Sequence, residues 1–419
     1  MGGVVLFDAK QHQKTLSGII LIMNSKPKSK IMGNYQRLNV SFVKGDSVYL
    51  FDNKGRKYLD ALSGIAVCGL GHAHPELVEL LTNQAKDLWH TSNLYNIEHQ
   101  EALAEALADS AQMDSVFFCN SGAEANEAAI KLCRKFGFDN GIKNPTIVTM
   151  KGSFHGRTMA TLSATGNEKV HHGFSPLLSG FKYAEFGGID ELKTHLSNPD
   201  VVALMVEPIQ GEGGINIPPM NYLKKLREVC DQYRKILVLD EVQSGIGRTG
   251  FLFAHQSDSI LPDVLTLAKG LGNGIPIGAC LVNRKYSDVL GPGTHGSTFG
   301  GNPLVCKVAL GVLKIINKKE FLDHVVNIGD LMLSEFKLRL TNLPIVKEVR
   351  GRGLMIGIEL KKDCGALVSE ALARGLLINV ASGNVVRLLP PLILSKDEGL
   401  RIVKEVTFLI ESFNGKTCE

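Results

Sequence analysis

Ile236-Leu237-Val238-Leu239-Asp240-Glu241-Val242-Gln243 is followed, beyond residues 244–263, by Val264-Leu265-Thr266-Leu267-Ala268-Lys269-Gly270-Leu271. Each stretch is a brief apolar run closed by a charged residue, and each reads as a fully buried strand. Residues 116–118, 146–150, 201–206 and 278–282 have the same character, and helical stretches separate these runs from about Pro75 onward. Helices alternating with buried strands imply a mostly parallel sheet covered on both faces. Such sheets place their chemistry in a crevice beyond the strand ends, so Asp240 and Lys269 are expected to face a common site.

Outward from this centre the patterning changes. Leu38-Val40-Phe42, with turn signals at Lys44-Gly45-Asp46 and Asn53-Lys54-Gly55, predicts a small antiparallel ribbon across residues 35–60. Residues 307–339 read as helix. After Pro344 come strands at 346–349 and 354–359, a helix, strands at 376–380 and 385–389, and a terminal helix. The expected class is α/β. An N-terminal extension, disordered or not translated, occupies residues 1–31, and a segment with the ribbon spans 32–74. A large domain with the mostly parallel sheet covers 75–305, and a smaller C-terminal α+β domain covers 306–419. The apolar run at 16–23 is far too short to span a bilayer and lacks a small-x-small cleavage site. It reads as part of the extension, with a cleaved targeting segment as the alternative.

Composition narrows the function classes. Of 419 residues, 44% are hydrophobic and 21% charged, an ordinary globular balance. A formal charge of +4, with no basic run interleaved with aromatics, gives no case for nucleic acid, and no membrane partner is expected. The eight cysteines are scattered without a C-x-x-C pair, as in buried thiols of a cytoplasmic protein. His72 and His74 have no carboxylate or thiol at ligand spacing, so no metal is expected.

A lysine amine and a carboxylate carried past buried strands suit pyridoxal phosphate. The amine forms a Schiff base with the aldehyde, and the carboxylate pairs with the protonated ring nitrogen. Other segments fit around that pair. After the run at 116–118, Ser121 and Glu124 form a capping box. Ala125, Ala129, Leu132 and Phe136 make one helical face, with Gly137 ending the helix. The amides of Ser121, Gly122 and Ala123 suit a phosphate, a plain capped helix being the alternative. Phe154 sits in a glycine-bracketed loop where an aromatic can stack on a flat ring, and Arg157 can hold a carboxylate bidentately. Glu207 and Glu212 follow the run at 201–206, where a lone acid is more often a cap. The Gly296-Ser297-Thr298 turn offers hydroxyls. Gly245-Ile246-Gly247-Arg248-Thr249-Gly250 matches G-x-G-x-x-G, but no helix face follows, and Asp240 and Glu241 lie before the glycines rather than after them, so a dinucleotide site is disfavoured.

NSGAEANE (120–127), FHGRT (154–158), VEPIQGEGG (206–214), LDEVQSGIGRTG (239–250), LAKGLGNGIPIGA (267–279) and HGSTFGGNP (295–303) together resemble the class III, pyridoxal phosphate-dependent aminotransferases. The resemblance runs from about Met32 to the C-terminal helix. It implies a fold-type I homodimer with shared active sites. Lys269 would carry the cofactor and shuttle the proton, Asp240 would pair with the ring nitrogen, Gln243 would bond the ring hydroxyl side, and Phe154 would stack on the ring. Ser121, Gly122 and Ala123 would bind the phosphate, Ala123 by its amide alone where relatives often carry a hydroxyl. Thr298 would reach that phosphate from the neighbouring subunit. Arg157 would hold a distal carboxylate and Arg387 the α-carboxylate of glutamate. Glu212 would neutralise Arg387 while a terminal amine is bound, and Ser297 would lie with the substrate site. Ornithine-specific members carry tyrosine at the position of Ile65, so an apolar residue there favours N-acetylornithine with 2-oxoglutarate, a step of arginine biosynthesis. Succinylornithine, succinyl-diaminopimelate, ornithine and 4-aminobutyrate are the alternative amines. Two rival classes are an NAD-dependent oxidoreductase and a non-catalytic interaction module. Retention of Lys269, Asp240, Gln243, Arg157 and Glu212 argues against the second.

Overall fold

The described residues of the computed structural model are 30–415, so the apolar run at 16–23 and nearly all of the expected extension lie outside them. The central element is a seven-stranded sheet made from β4 (Ser115–Cys119), β5 (Thr146–Met150), β6 (Phe181–Ala184), β7 (Val201–Val206), β8 (Ile236–Asp240), β9 (Val264–Leu267) and β10 (Gly278–Val282). Their order is β4-β10-β9-β8-β7-β5-β6. The pairings β5–β6, β5–β7, β7–β8 and β8–β9 are parallel, whereas β10 runs antiparallel to both β4 and β9. Strands numbered β1–β3 form the N-terminal ribbon described below.

Both faces of this sheet are buried, which explains the continuous apolar runs. Leu204, Val206, Leu237, Leu239, Leu265 and Leu267 point into one core cluster. Ile147, Ala203, Met205, Ile236, Val238 and Val264 point into a second cluster with Ala128, Ala129 and Leu132 of the helix Gly122–Asp139. Strand side chains alternate with period two. Asp240 therefore shares the face of Ile236 and Val238, and Thr266 shares that of Val264. That parity aims both at the helix Gly122–Asp139.

The ribbon is β1 (Phe42–Asp46), β2 (Tyr49–Asp52) and β3 (Lys57–Asp60), antiparallel as expected, with Leu38 and Val40 outside it. Its fourth strand comes from far along the chain. Leu376 and Leu377 (β13) pair in parallel with Leu59 and Asp60. The C-terminal region adds an antiparallel sheet of β11 (Val346–Arg352), β12 (Met355–Leu360), β15 (Val385–Leu388) and β14 (Asn379–Ala381), in that order.

Several local readings need correction. Residues 307–339 hold two helices, Pro303–Ile316 and Lys319–Leu340, because Lys318 is extended and breaks the ladder. The run at 376–380 is two strands serving different sheets. The edge strand β6 gave no clear signal, since its four residues are mostly only part-buried. Gly137 does not end its helix, which continues to Asp139. It is a packing glycine, where a Cβ would meet Val202 Cγ1 at 2.7 Å and Pro145 Cβ at 2.9 Å. The Gly245–Gly250 stretch opens no helix. It is a turn with Gly247 and Gly250 at φ +82° and +86°, and its buried Arg248 donates to the carbonyls of Leu354 and Pro390.

Candidate active site

The C-terminal ends of β5, β7, β8 and β9 and of the codirectional β4 converge on a cleft of about 370 Å³. Its wall contains Asn120 to Ala123 after β4, Phe154 to Arg157 after β5, Glu207 and Glu212 after β7, Asp240 and Gln243 on β8 and beyond it, and Lys269 after β9. Nine residues singled out from the sequence thus come together there: Ser121, Gly122, Ala123, Phe154, Arg157, Glu212, Asp240, Gln243 and Lys269. Arg387 joins them through Glu212. Ser297 stands just behind the wall, its Oγ accepting from Asn120 Nδ2 at 3.1 Å. Thr298 is exposed and outside the cleft. Ile65 is also absent from the wall. It packs instead on the apolar cluster of Ala66, Ile209, Ile215, Met355 and Leu389, while Val67 lines the cleft.

Lys269 follows β9 at φ +42°, a left-handed conformation costing a non-glycine residue about 1–3 kcal/mol. Its amine is buried, and burial holds it below the ordinary lysine range despite the pull of the Glu212 charge. That is the direction a lysine acting as a base requires.

Asp240 is 3% exposed and fully engaged. Its Oδ1 accepts from Val242 N at 3.0 Å. Its Oδ2 accepts from Asn126 Nδ2 and bonds His155 Nδ1, both at 2.7 Å. Asn126 in turn donates to His155 O at 2.8 Å and accepts from Thr266 Oγ1 at 2.7 Å. This cluster fixes the carboxylate at the end of β8.

At the start of the helix Gly122–Asp139, Ser121 Oγ accepts from Glu124 N at 3.2 Å, as a cap should. The reciprocal half differs from the expected box: Glu124 Oε2 accepts from Asn120 N at 2.7 Å rather than from Ser121 N. The first-turn amides of Gly122 and Ala123 lack intrahelical acceptors. A Cβ at Gly122 would lie 2.6 Å from Val242 Cγ1, so only glycine fits this approach to β8.

Two arginines serve the cleft, Arg157 in its wall and Arg387 behind Glu212. Arg387 on β15 is 1% exposed, and its Nη1 donates to Glu212 Oε1 at 2.6 Å and to Gly211 O at 3.3 Å. Burial pushes the Glu212 carboxyl up, but the Arg387 guanidinium outweighs it and holds the carboxyl below its usual range. Gln243 Nε2 donates to the same Glu212 oxygen at 3.3 Å. Arg157 is exposed at the rim and lies 5.1 Å from the Phe154 ring centroid.

Sequence reasoning missed three residues of this site as functional groups. Asn126 and His155 carry the contacts to Asp240. Glu207 accepts from Phe154 N at 2.9 Å and Gly211 N at 3.2 Å, tying the aromatic loop to the Glu212 loop, and burial pushes its carboxyl up to about 7. One signal was present: Asn126 interrupts an otherwise small and apolar helix face. His72 proves structural, with Nε2 2.8 Å from Asp60 Oδ2, and no metal-holding cluster occurs among the described residues.

A phosphorylated pyridine aldehyde fits this arrangement. The site offers a buried amine, a fixed carboxylate, an aromatic face and two unengaged helix amides. Gln243 Oε1 is also buried without a partner, an acceptor that a ring hydroxyl would satisfy.

The comparisons with known proteins agree. The family model described as Aminotransferase class-III matches residues 31–407. An acetylornithine aminotransferase of Nitrosomonas europaea is 54% identical over 386 residues, 92% of this chain and 98% of that protein. One of Aquifex aeolicus is 46% identical over 90% of this chain and 99% of its own length. The crystal structure of N-acetylornithine aminotransferase from Stenotrophomonas maltophilia superposes with a TM-score of 0.80 at 38% identity, covering 91% of this chain and 98% of that one. Ornithine aminotransferase from Toxoplasma gondii gives a TM-score of 0.90 at 30% identity, covering 98% and 100%. Similarity of this extent settles the family: the chain belongs to the class-III aminotransferases, and its cofactor is pyridoxal phosphate.

Proposed function

We propose that the protein transfers the terminal amino group of N2-acetyl-L-ornithine to 2-oxoglutarate, giving N-acetyl-L-glutamate 5-semialdehyde and L-glutamate in arginine biosynthesis. The observation that carries this reading is the state of the two arginines. Arg387 is neutralised by Glu212 at 2.6 Å, while Arg157 makes no salt bridge among the described residues. In that state Arg387 is paired and Arg157 is, among the described residues, the one arginine lining the cleft that is open to a carboxylate, which suits a substrate presenting its amine at the end of an apolar chain. The acetylornithine aminotransferases among the relatives, up to 54% identical, and the apolar wall at Val67, Ile275 and Ile277 support the acyl substrate.

The roles follow from position. Pyridoxal phosphate held here would supply an electron sink for the pair left by proton removal. Asp240, aimed by Asn126 and His155, would face the ring nitrogen. Lys269 Nζ would hold the cofactor and, once freed by substrate, would move the proton away from the substrate carbon bearing the amine. Phe154 would cover the ring, Gln243 would bond its hydroxyl side, and Ser121 with the amides of Gly122 and Ala123 would receive the phosphate. Arg157 holds the carboxylate of the acyl-ornithine and the distal carboxylate of glutamate. Arg387 takes glutamate's α-carboxylate once Glu212 turns away. Ser297 supports the substrate side through Asn120, and Ile65 shapes the apolar entrance through Ala66 and Val67.

The protein works as a cytoplasmic homodimer, with Thr298 completing the partner's phosphate site. An exposed apolar face supports this. Trp89, Leu94, Tyr95 and Phe299 are 61–85% exposed, and Asn93 Nδ2 joins the two segments by donating to Ser297 O at 3.0 Å. We also assign a large cofactor-binding domain to 75–305 and a small C-terminal α+β domain to 306–419.

The test is a single half-reaction. Cofactor-loaded enzyme is mixed with N-acetylornithine, succinylornithine, ornithine or 4-aminobutyrate without a keto acid, and the visible absorbance of the bound cofactor is followed by stopped flow. Fast loss with N-acetylornithine, slow loss with the free amines and no loss in Lys269→Ala is expected. Preference for ornithine or 4-aminobutyrate would overturn the substrate assignment.

A further inference from the structure

Arg387 is held by a second residue that the proposed mechanism does not use. Asn379 opens β14 directly opposite Arg387 in the antiparallel β14–β15 pair, where facing side chains lie on one side of the sheet. Its Oδ1 accepts from both Nε at 3.0 Å and Nη2 at 2.8 Å of the guanidinium. Asn379 thus occupies the Nε–Nη2 edge, while Nη1 reaches Glu212 and Gly211 O. Among the described residues, Glu212 is the only carboxylate paired with this nearly inaccessible guanidinium.

We propose that Asn379 is the specificity-determining partner of Arg387: it fixes the guanidinium while leaving its charge uncompensated. The inference rests on the reading of Glu212 as a switch. A buried cation needs a counter-charge. With a neutral amide on one edge, the guanidinium must take its counter-ion either from Glu212 or from an incoming α-carboxylate. The two half-reactions then exchange one carboxylate for another over a cation that does not move. An aspartate at position 379 would offer the same two acceptor contacts and neutralise the cation permanently. The guanidinium would no longer demand a substrate carboxylate, and Glu212 would be redundant.

The experiment compares wild type with Asn379→Asp, Glu212→Ala and the double variant, all cofactor-loaded. Half-reactions with N-acetylornithine and with glutamate are measured by stopped flow. Binding of glutarate, a dicarboxylate that cannot react, is measured by calorimetry. Asn379→Asp is expected to raise the half-saturating glutamate concentration and the glutarate Kd at least about tenfold, with the limiting rate and the N-acetylornithine half-reaction within about threefold of wild type. Glu212→Ala should slow the N-acetylornithine half-reaction in the wild-type background and leave it unchanged in Asn379→Asp. Unaltered glutarate binding in Asn379→Asp overturns the proposal, as does an undiminished Glu212→Ala effect in that background. If wild type prefers another amine, the substrate assignment fails, yet the glutarate comparison still decides the part played by Asn379. Asparagine and aspartate are close in size, so a folding defect would show as equal losses with both substrates, which also counts against the proposal.

Discussion

At the scale of single residues, charge placement was legible and charge partnership was not. Asp240 and Lys269 stand out because each ends an apolar run, and both line the cleft. His155, Glu207 and Asn379 were unreadable as site residues, and Asn126 only faintly readable as a polar break in an apolar helix face, because their meaning lies in contacts across 8 to 114 positions of sequence. His72 shows how a null metal motif can still carry energy. Burial alone would lower its pKa, but the Asp60 carboxylate, helped by the Cys68 thiol, raises it to about 9. A histidine pKa raised on folding adds stability that is complete below the unfolded value near ~6.5. That contribution fades as pH climbs toward about 9. His72→Asn should therefore lower the Tm clearly at pH 6 and much less at pH 10. Thermal scans at both values check it, and an equal shift at both would show that the ion pair is not the cause.

At the scale of elements, periodicity found the buried strands because a two-sided core demands unbroken apolar runs. It missed strand direction, since β10 has the same run whether parallel or antiparallel. It also misjudged the helix Gly122–Asp139, reading Gly137 as a terminator when the glycine marks a close approach. An alanine there would gain about 1 kcal/mol of helix propensity. Against this stands overpacking at about 1–3 kcal/mol. The contacts decide the sign: the Cβ would press on Val202 and on the rigid ring of Pro145, both under 3.0 Å. Gly137→Ala should lower stability by about 1–2 kcal/mol in denaturant titration while leaving the cofactor spectrum unchanged. A stabilised variant would mean that Val202 yields freely.

At the scale of the whole molecule, the exposed face carrying Trp89, Leu94, Tyr95 and Phe299 is larger than isolated surface apolar residues explain. Leu94→Arg should convert a particle of twice the chain mass into one of single mass in sedimentation, and weaken cofactor retention with it. A variant that stays at double mass with full activity would place the interface elsewhere. Sequence could not reveal this face, because its apolar residues are spread over two segments that the fold brings together. The ribbon sheet carries a consequence of a different kind. Leu59 waits for Leu376 before the parallel pair β3–β13 can form, and the Asp60 that holds His72 is itself part of that pair, opposite Leu377. At a synthesis rate of about 5–20 residues per second, the ribbon leaves the ribosome roughly 15–60 s ahead of its last strand. Throughout that interval the growing chain presents β3 as an unpaired edge, so the ribbon is a segment that calls for chaperone cover during translation.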